Sequence, residues 1–228
     1  VKFIMRIIVC IPGNQFTGRF LRAWTEFLQI SREKGIEIVL SSSYSAVVHF
    51  ARAQCLGADV MRGIDQKPFD GKVPYDYILW VDSDVLFTFE DFEKLLQSPH
   101  DVTCGLYRMA NMKQFPVVQH WNTDFFQANG YFEFLGVNDL LEYREANKER
   151  YMKVDYAGMG FMLIRSGVIE KVPYPWFYKD AYIFEKGGKL VADMASEDVA
   201  FCKNLAQANI QVFVDTTVIV GHEKMVVL

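Results

Sequence analysis

Tyr77-Ile78-Leu79-Trp80-Val81-Asp82-Ser83-Asp84 is the stretch that decides how this chain is read. Its first five residues are all apolar or aromatic and do not alternate, which describes a strand covered on both faces, as in a parallel sheet. The run stops at two aspartates one residue apart. Open α/β sheets bind ligands just beyond the carboxyl ends of their strands, so the acids stand where a ligand is expected. Asp82 and Asp84 can both reach one divalent ion, and hard carboxylate oxygens suit Mg²⁺ or Mn²⁺. A D-x-D alone also occurs beside ordinary surface turns; the buried strand before it gives it weight.

Working outward, Arg6 to Ile11 is a second short apolar strand, closed by Pro12-Gly13-Asn14. Phe20 to Lys34 has a helical apolar period with Gly35 at its C-cap, and Ile36 to Leu40 is a strand. Ser41-Ser42-Ser43 breaks the chain before a helix over Val47 to Val60 that carries Arg52. Beyond the aspartates, Phe89 to Leu96 is a helix with Glu90 and Asp91 in its first turn, followed by a strand at Asp101 to Tyr107. This alternation predicts an α/β fold: one domain with a Rossmann-like, mostly parallel central sheet flanked by helices.

The second half is less regular. Arg108 to Asn129 reads as irregular structure, and Asp139 to Lys153 as a charged surface helix. Tyr156 to Arg165 is a strand whose Gly158 and Gly160 permit close approach by a ligand, and it hands over to a short helix at Ser166 to Lys171. Pro173-Tyr174-Pro175-Trp176-Phe177 is non-helical, Ser196 caps a helix from Asp198 to Ala208, and Ile210 to Val214 and Thr217 to Val220 are two short strands.

Composition narrows the function classes. The 228 residues are 51% hydrophobic and 23% charged, which supports a globular core rather than disorder. A net charge of -4 with no basic block leaves no footprint for nucleic acid or an anionic membrane surface. Phe3 to Ile11 is too short to span a bilayer and contains Arg6, so it is neither anchor nor signal; Met5 is expected to lie at or near the natural start. Cys10, Cys55, Cys104 and Cys202 sit in apolar runs without C-x-x-C spacing and read as reduced core thiols. The expected setting is cytoplasmic, a host's cytoplasm if the chain is viral.

Three further segments complete a pattern: I-V-C-I-P-G-N at Ile8 to Asn14, Ser196-Glu197-Asp198 before the late helix, and V-D-T-T-V-I-V-G-H-E-K at Val214 to Lys224. With the D-x-D between them, this order resembles the GT-A glycosyltransferases, in particular small, anchorless ones of bacteria, phages and large viruses. The resemblance implies a nucleotide-binding half over about 5–107 and an acceptor-binding half over about 108–224. It implies transfer of a sugar from a nucleotide-diphosphate sugar, UDP favoured over GDP, to a hydroxyl of a glycan or glycoprotein. Asp82 and Ser83 would meet the nucleotide, and Asp82, Asp84 and His222 would hold Mn²⁺ or Mg²⁺. Asp198, with Glu197, would face the acceptor, and a base there implies inversion at the sugar carbon.

Other residues are candidates on position. Pro12, Gly13, Asn14, Ser41 and Arg52 stand at strand ends or on the next helix, where they can meet base, ribose or diphosphate, and Lys224 can pair a phosphate. Each also fits an ordinary turn or surface role. Trp121, Trp176 and Phe177 offer stacking faces for acceptor sugars, although aromatic residues more often fill a core. His49, His100 and His120 show no partner pattern and read as structural. Two other readings stay open: a phosphohydrolase of the haloacid dehalogenase type, which the V-D-S-D-V-L pattern superficially matches, and a non-catalytic sugar- or nucleotide-binding module. Leu86 and Phe87 exclude an EF-hand loop, and the missing G-x-G-x-x-G disfavours a Rossmann dehydrogenase.

Overall fold

A computed structural model describes residues 4–224. The strands are β1 (Met5–Pro12), β2 (Ile36–Ser43), β3 (Tyr77–Val81), β4 (Val85–Leu86), β5 (Val102–Leu106), β6 (Val117–Val118), β7 (Tyr151–Val154), β8 (Tyr156–Ala157), β9 (Phe161–Arg165), β10 (Tyr182–Lys186), β11 (Lys189–Asp193), β12 (Val212–Ile219) and β13 (Gly221–His222). The helices are α1 (Gly18–Glu33), α2 (Val48–Cys55), α3 (Phe89–Leu96), α4 (Thr123–Asn129), α5 (Val137–Asn147) and α6 (Glu197–Gln207).

Seven strands form the central sheet in the order β2-β1-β3-β9-β5-β12-β7. β2, β1 and β3 run parallel, as β5 and β12 do, whereas β9 is antiparallel to both β3 and β5, and β7 to β12. The apolar run at β3 is explained by cover on both faces. Ile78 and Trp80 join one core with Ile8, Cys10, Met162, Ile164 and the α6 residues Phe201 and Leu205. Leu79 and Val81 join a second with Ile7, Val9, Phe161 and the helix residues Phe27 and Phe92. All four cysteines are buried and free. Among the described residues, no helix is long and apolar enough to cross a membrane.

The departures from expectation have local causes. The helix expected over Val47 to Val60 ends at Cys55, with Gly57 at φ 67° just beyond it. The charged segment expected to be helical to Lys153 stops at Asn147, and Tyr151–Val154 instead pairs with β12. There Arg150 donates to Asp215, which is 0% exposed, through Nε at 2.9 Å and Nη2 at 2.8 Å. A tertiary ion pair outweighs helix propensity. The same Asp215 accepts from the Thr217 backbone and hydroxyl, so β12 passes through it with a register shift instead of splitting in two. Arg108 to Asn129, expected to be irregular, contains β6, paired with β8, and the helix α4.

Gly158 and Gly160 serve the fold, which corrects their expected role against a ligand. A Cβ on Gly158 would lie 2.2 Å from the Tyr107 hydroxyl oxygen, and one on Gly160 2.8 Å from the Tyr107 ring. The glycines make room for that phenol, to which the Gly160 amide donates at 3.2 Å.

Candidate active site

β3 delivers Asp82 to the lip of the sheet, where its amide donates to the Gly160 carbonyl at 3.0 Å and its carbonyl accepts from Val85 at 3.0 Å. That turn points the two aspartates different ways. Arg52, on α2, donates from Nη2 to Asp82 Oδ1 at 3.0 Å and from Nε to Glu197 Oε1 at 3.2 Å. Its side chain is 3% exposed, and its charged end lies 5.5 Å from the Trp80 ring centroid. Burial pulls the guanidinium down, but Asp82, Glu197 and Asp198 together hold its pKa above the ordinary value. Residues far apart in sequence, on α2, at the end of β3 and at the start of α6, are thereby tied into one charge network.

Asp84 turns toward the end of the chain. β13 pairs with β4, His222 opposite Val85, and the Glu223 amide donates to the Asp84 carbonyl at 2.7 Å. Lys224 Nζ then donates to Asp84 Oδ2 at 2.6 Å, and His222 Nε2 lies 3.2 Å from the same oxygen. Burial would raise the Asp84 pKa, yet the hydrogen bonds and charges of His222 and Lys224 prevail and hold it at about 2. The other ring nitrogen, Nδ1, is 2.7 Å from the Arg108 carbonyl, which accepts its proton. With Nδ1 so protonated, Nε2 of a neutral ring would present a lone pair to a carboxylate, so a second proton or a cation must lie between them. The hydrogen bond to Asp84 raises the imidazole pKa, and burial opposes it.

At the N-terminus of α6, Asp198 Oδ2 accepts from the Tyr156 hydroxyl at 2.8 Å, and Oδ1 accepts from the Val199 amide at 2.8 Å and from the Ser196 hydroxyl. Burial, and then the charge of Asp198, pushes the Tyr156 phenol up. Tyr107 is pushed up by burial first and by Asp82 and Asp198 next, so it stays protonated between the two motifs. Burial and Asp198 also raise the Glu197 carboxyl, while Arg52 pulls it back.

The structure therefore gathers Arg52, Asp82, Glu197 and Asp198 on one side and Asp84, His222 and Lys224 on the other. Among the described residues, no three His, Cys, Asp or Glu side chains converge on a single metal position; Asp82 is engaged with Arg52, apart from the Asp84 and His222 pair. Gly13 lies against the D-x-D turn: a Cβ there would be 2.7 Å from the Ser83 hydroxyl, so its missing side chain is explained by Ser83. Pro12 and Asn14 flank it, and Asn14 is exposed. The Ser41 hydroxyl is spent on the Cys55 carbonyl at 2.7 Å, at the end of α2. Trp176 and Phe177 are 0% and 3% exposed, which removes them as a stacking platform; Trp121 remains, lining a cavity beside α6. Sequence reasoning missed Tyr156 and Tyr107. The paired glycines were the usable signal for Tyr107, since closely spaced glycines in a strand imply a bulky neighbour.

No protein-family model matches the chain, and no curated protein does. Among solved structures, it is similar to A197 from STIV, with 19% identity, a TM-score of 0.56 and coverage of 97% of this chain and 87% of that one. It is also similar to GalNAc-T7 solved with UDP, GalNAc and Mn²⁺, with 7% identity and a TM-score of 0.53, over 97% of this chain and 43% of that one. The chain has a GT-A fold. In this fold the acids stand where β3 and α6 end and begin, on the carboxyl side of β3.

Proposed function

We propose that the chain is a metal-dependent glycosyltransferase that moves a sugar from a nucleotide-diphosphate sugar, UDP favoured over GDP, to a glycan hydroxyl with inversion. The observation that carries this reading is the network in which Arg52 joins Asp82 of the D-x-D to Glu197, beside an Asp198 fixed by Tyr156.

Asp84 and His222 fit a divalent ion, because the Nδ1 bond to Arg108 leaves Nε2 facing the carboxylate, an arrangement that a cation satisfies. They would hold it, and Asp82 would join them on release from Arg52. When bound, the ion supplies Lewis-acid stabilisation of the departing diphosphate. Lys224 now neutralises Asp84 and would offer a side-chain cation to a phosphate oxygen on that side. Asp198 Oδ2 accepts one hydrogen bond, from Tyr156, and keeps a lone pair for the acceptor proton. As that proton moves to Asp198, the acceptor oxygen bonds to the sugar carbon, the bond to the diphosphate oxygen breaks, and its electron pair leaves with the nucleoside diphosphate. Glu197, spent on Arg52, positions the guanidinium rather than taking the proton.

The test is nucleotide release from a panel of UDP-, GDP- and TDP-sugars with and without Mn²⁺. Metal-dependent release from one donor, lost in Asp84→Ala, is expected; no release and no metal-dependent nucleotide binding would sink the reading. Asp198→Asn is expected to lower transfer by about 10²–10⁴-fold, the range for a lost general base, with donor binding retained.

A further inference from the structure

The β10–β11 hairpin and α4 close a cavity of about 250 Å³ against α6, lined by Trp121, Asn122, Phe126, Tyr182, Asp193 and Lys203 among others. We infer that this cavity binds one neutral hexopyranose ring of the acceptor. The inference rests on the transferase reading and adds to it the acceptor class and the residues that would select it.

Location comes first. Val199 and Lys203 line the cavity from one face of α6, four residues apart, and Val199 directly follows Asp198. The Trp121 ring, also in the lining, lies 6.0 Å from that of Tyr156, whose hydroxyl donates to Asp198. The cavity thus borders the turn of α6 that carries the proposed base: Val199 and Trp121 line it, and their neighbours Asp198 and Tyr156 lie just outside its lining.

The lining then selects the ligand. Trp121, Phe126, Phe132 and Tyr182 supply apolar faces of the kind that pack on the C–H face of a pyranose. Lys203 Nζ lies 5.3 Å from the Trp121 ring centroid and 5.9 Å from that of Tyr182. Among the described residues, Lys203, Asp180 and Asp193 form no ion pair and no side-chain hydrogen bond, although all three line the cavity. One cation and two carboxylates at an aromatic wall leave donors and acceptors for hydroxyl groups, which serve as either. A lipid chain would desolvate all three charges without compensation. An anionic ligand would meet Asp180 and Asp193, and a cationic one Lys203. A neutral polyhydroxylated ring satisfies every group.

The wall is a built feature. Gly187 and Gly188, at φ 58° and 74°, turn the hairpin, and Lys186 donates to the Gln127 carbonyl and, at 2.9 Å, to the Ala128 carbonyl at the end of α4. Tyr182 and Phe184 pack at 5.4 Å from one another, and each packs against Phe126.

Ligand-observed saturation-transfer NMR with methyl hexopyranosides of gluco, galacto and manno configuration, and a methyl hexuronide as the anionic arm, tests this. At least one neutral glycoside is expected to bind, with its Kd raised about tenfold or more by Trp121→Ala or Lys203→Gln and unchanged by Asp84→Ala. Lys203→Gln, which leaves the aromatic wall in place, guards against a folding defect in Trp121→Ala. Donor hydrolysis to water by the unmodified protein separates the two readings, since it needs no acceptor. If hydrolysis proceeds but no neutral glycoside binds, if the hexuronide binds better, or if binding ignores both cavity variants, this inference falls and the transferase reading stands. If glycosides bind through Trp121 and Lys203 but no donor is hydrolysed, the sugar site stands and the transferase reading falls.

Discussion

Replacing Arg52 by Met exposes the energetics of the site directly. The methionine keeps much of the side chain's volume over Trp80 but removes the charge that both Asp82 and Glu197 use. The two carboxylates respond differently, because the Asp82 side chain is 29% exposed and can recover hydration, whereas that of Glu197 is 12% exposed and cannot. Stranding one member of a buried pair costs about 3–5 kcal/mol, and Glu197 carries most of that cost. For a chain of this size each kcal/mol moves the melting temperature by about 2–4 °C, so Arg52→Met is expected to melt roughly 6–20 °C lower. Arg52→Lys is expected to recover only part of the loss, since a single ammonium cannot span both carboxylates as the planar fork does. The double variant Arg52→Met/Glu197→Gln is expected to regain at least about 1 kcal/mol relative to additivity, because the buried charge left behind has been removed. Urea denaturation of the wild type, these three variants and the single Glu197→Gln reads these differences. A loss below about 1 kcal/mol in Arg52→Met, with no gain on adding Glu197→Gln, would refute the argument that Glu197 depends on Arg52.

Other expectations follow from particular contacts. Gly160→Ala places a methyl against the Tyr107 ring and is expected to cost about 1–3 kcal/mol in urea denaturation, with relief when Tyr107 is replaced by Leu. Tyr156→Phe removes the donor to Asp198 Oδ2; it is expected to lower transfer more than donor hydrolysis to water, and equal losses in both rates would count against its place beside the acceptor. His100 stacks on Phe213 at 3.5 Å, and burial lowers its pKa below the ordinary 6.5 while Asp101 opposes. The unfolded chain therefore takes up this proton first, so the contribution of His100 is fully present above about pH 6.5 and is lost as pH falls below it. Urea midpoints across pH 5–8 are expected to show a shallower acid slope in His100→Gln.

Much of the sheet was legible in the sequence because strands covered on both faces leave unmistakable apolar runs, and β1, β3 and β5 lie within one residue of where those runs place them, whereas the run read as one strand from Tyr156 to Arg165 divides into β8 and β9. The hairpin was also there to be read: Tyr182 to Asp193 carries two β-favouring runs around Gly187-Gly188, and no reading was made of it. Helix α5 and strand β7 were less accessible, because a buried Asp215 on the neighbouring strand β12, 65 positions on in sequence, selects Arg150, and local propensity contains no term for that partner.

The sequence by itself determined the α/β class and the four buried, free cysteines, since apolar runs are local properties of the chain. It nominated Asp82, Asp84, Glu197, Asp198, Arg52, His222 and Lys224. Only the tertiary structure decided how they divide: Asp82 goes to Arg52 and Glu197, and Asp84 to His222 and Lys224. It also withdrew Trp176 and Phe177 into the core and set Gly158 and Gly160 against Tyr107. The physical reason is that a charge or a ring acquires its role from what faces it, and the residues that face one another here stand up to 145 positions apart.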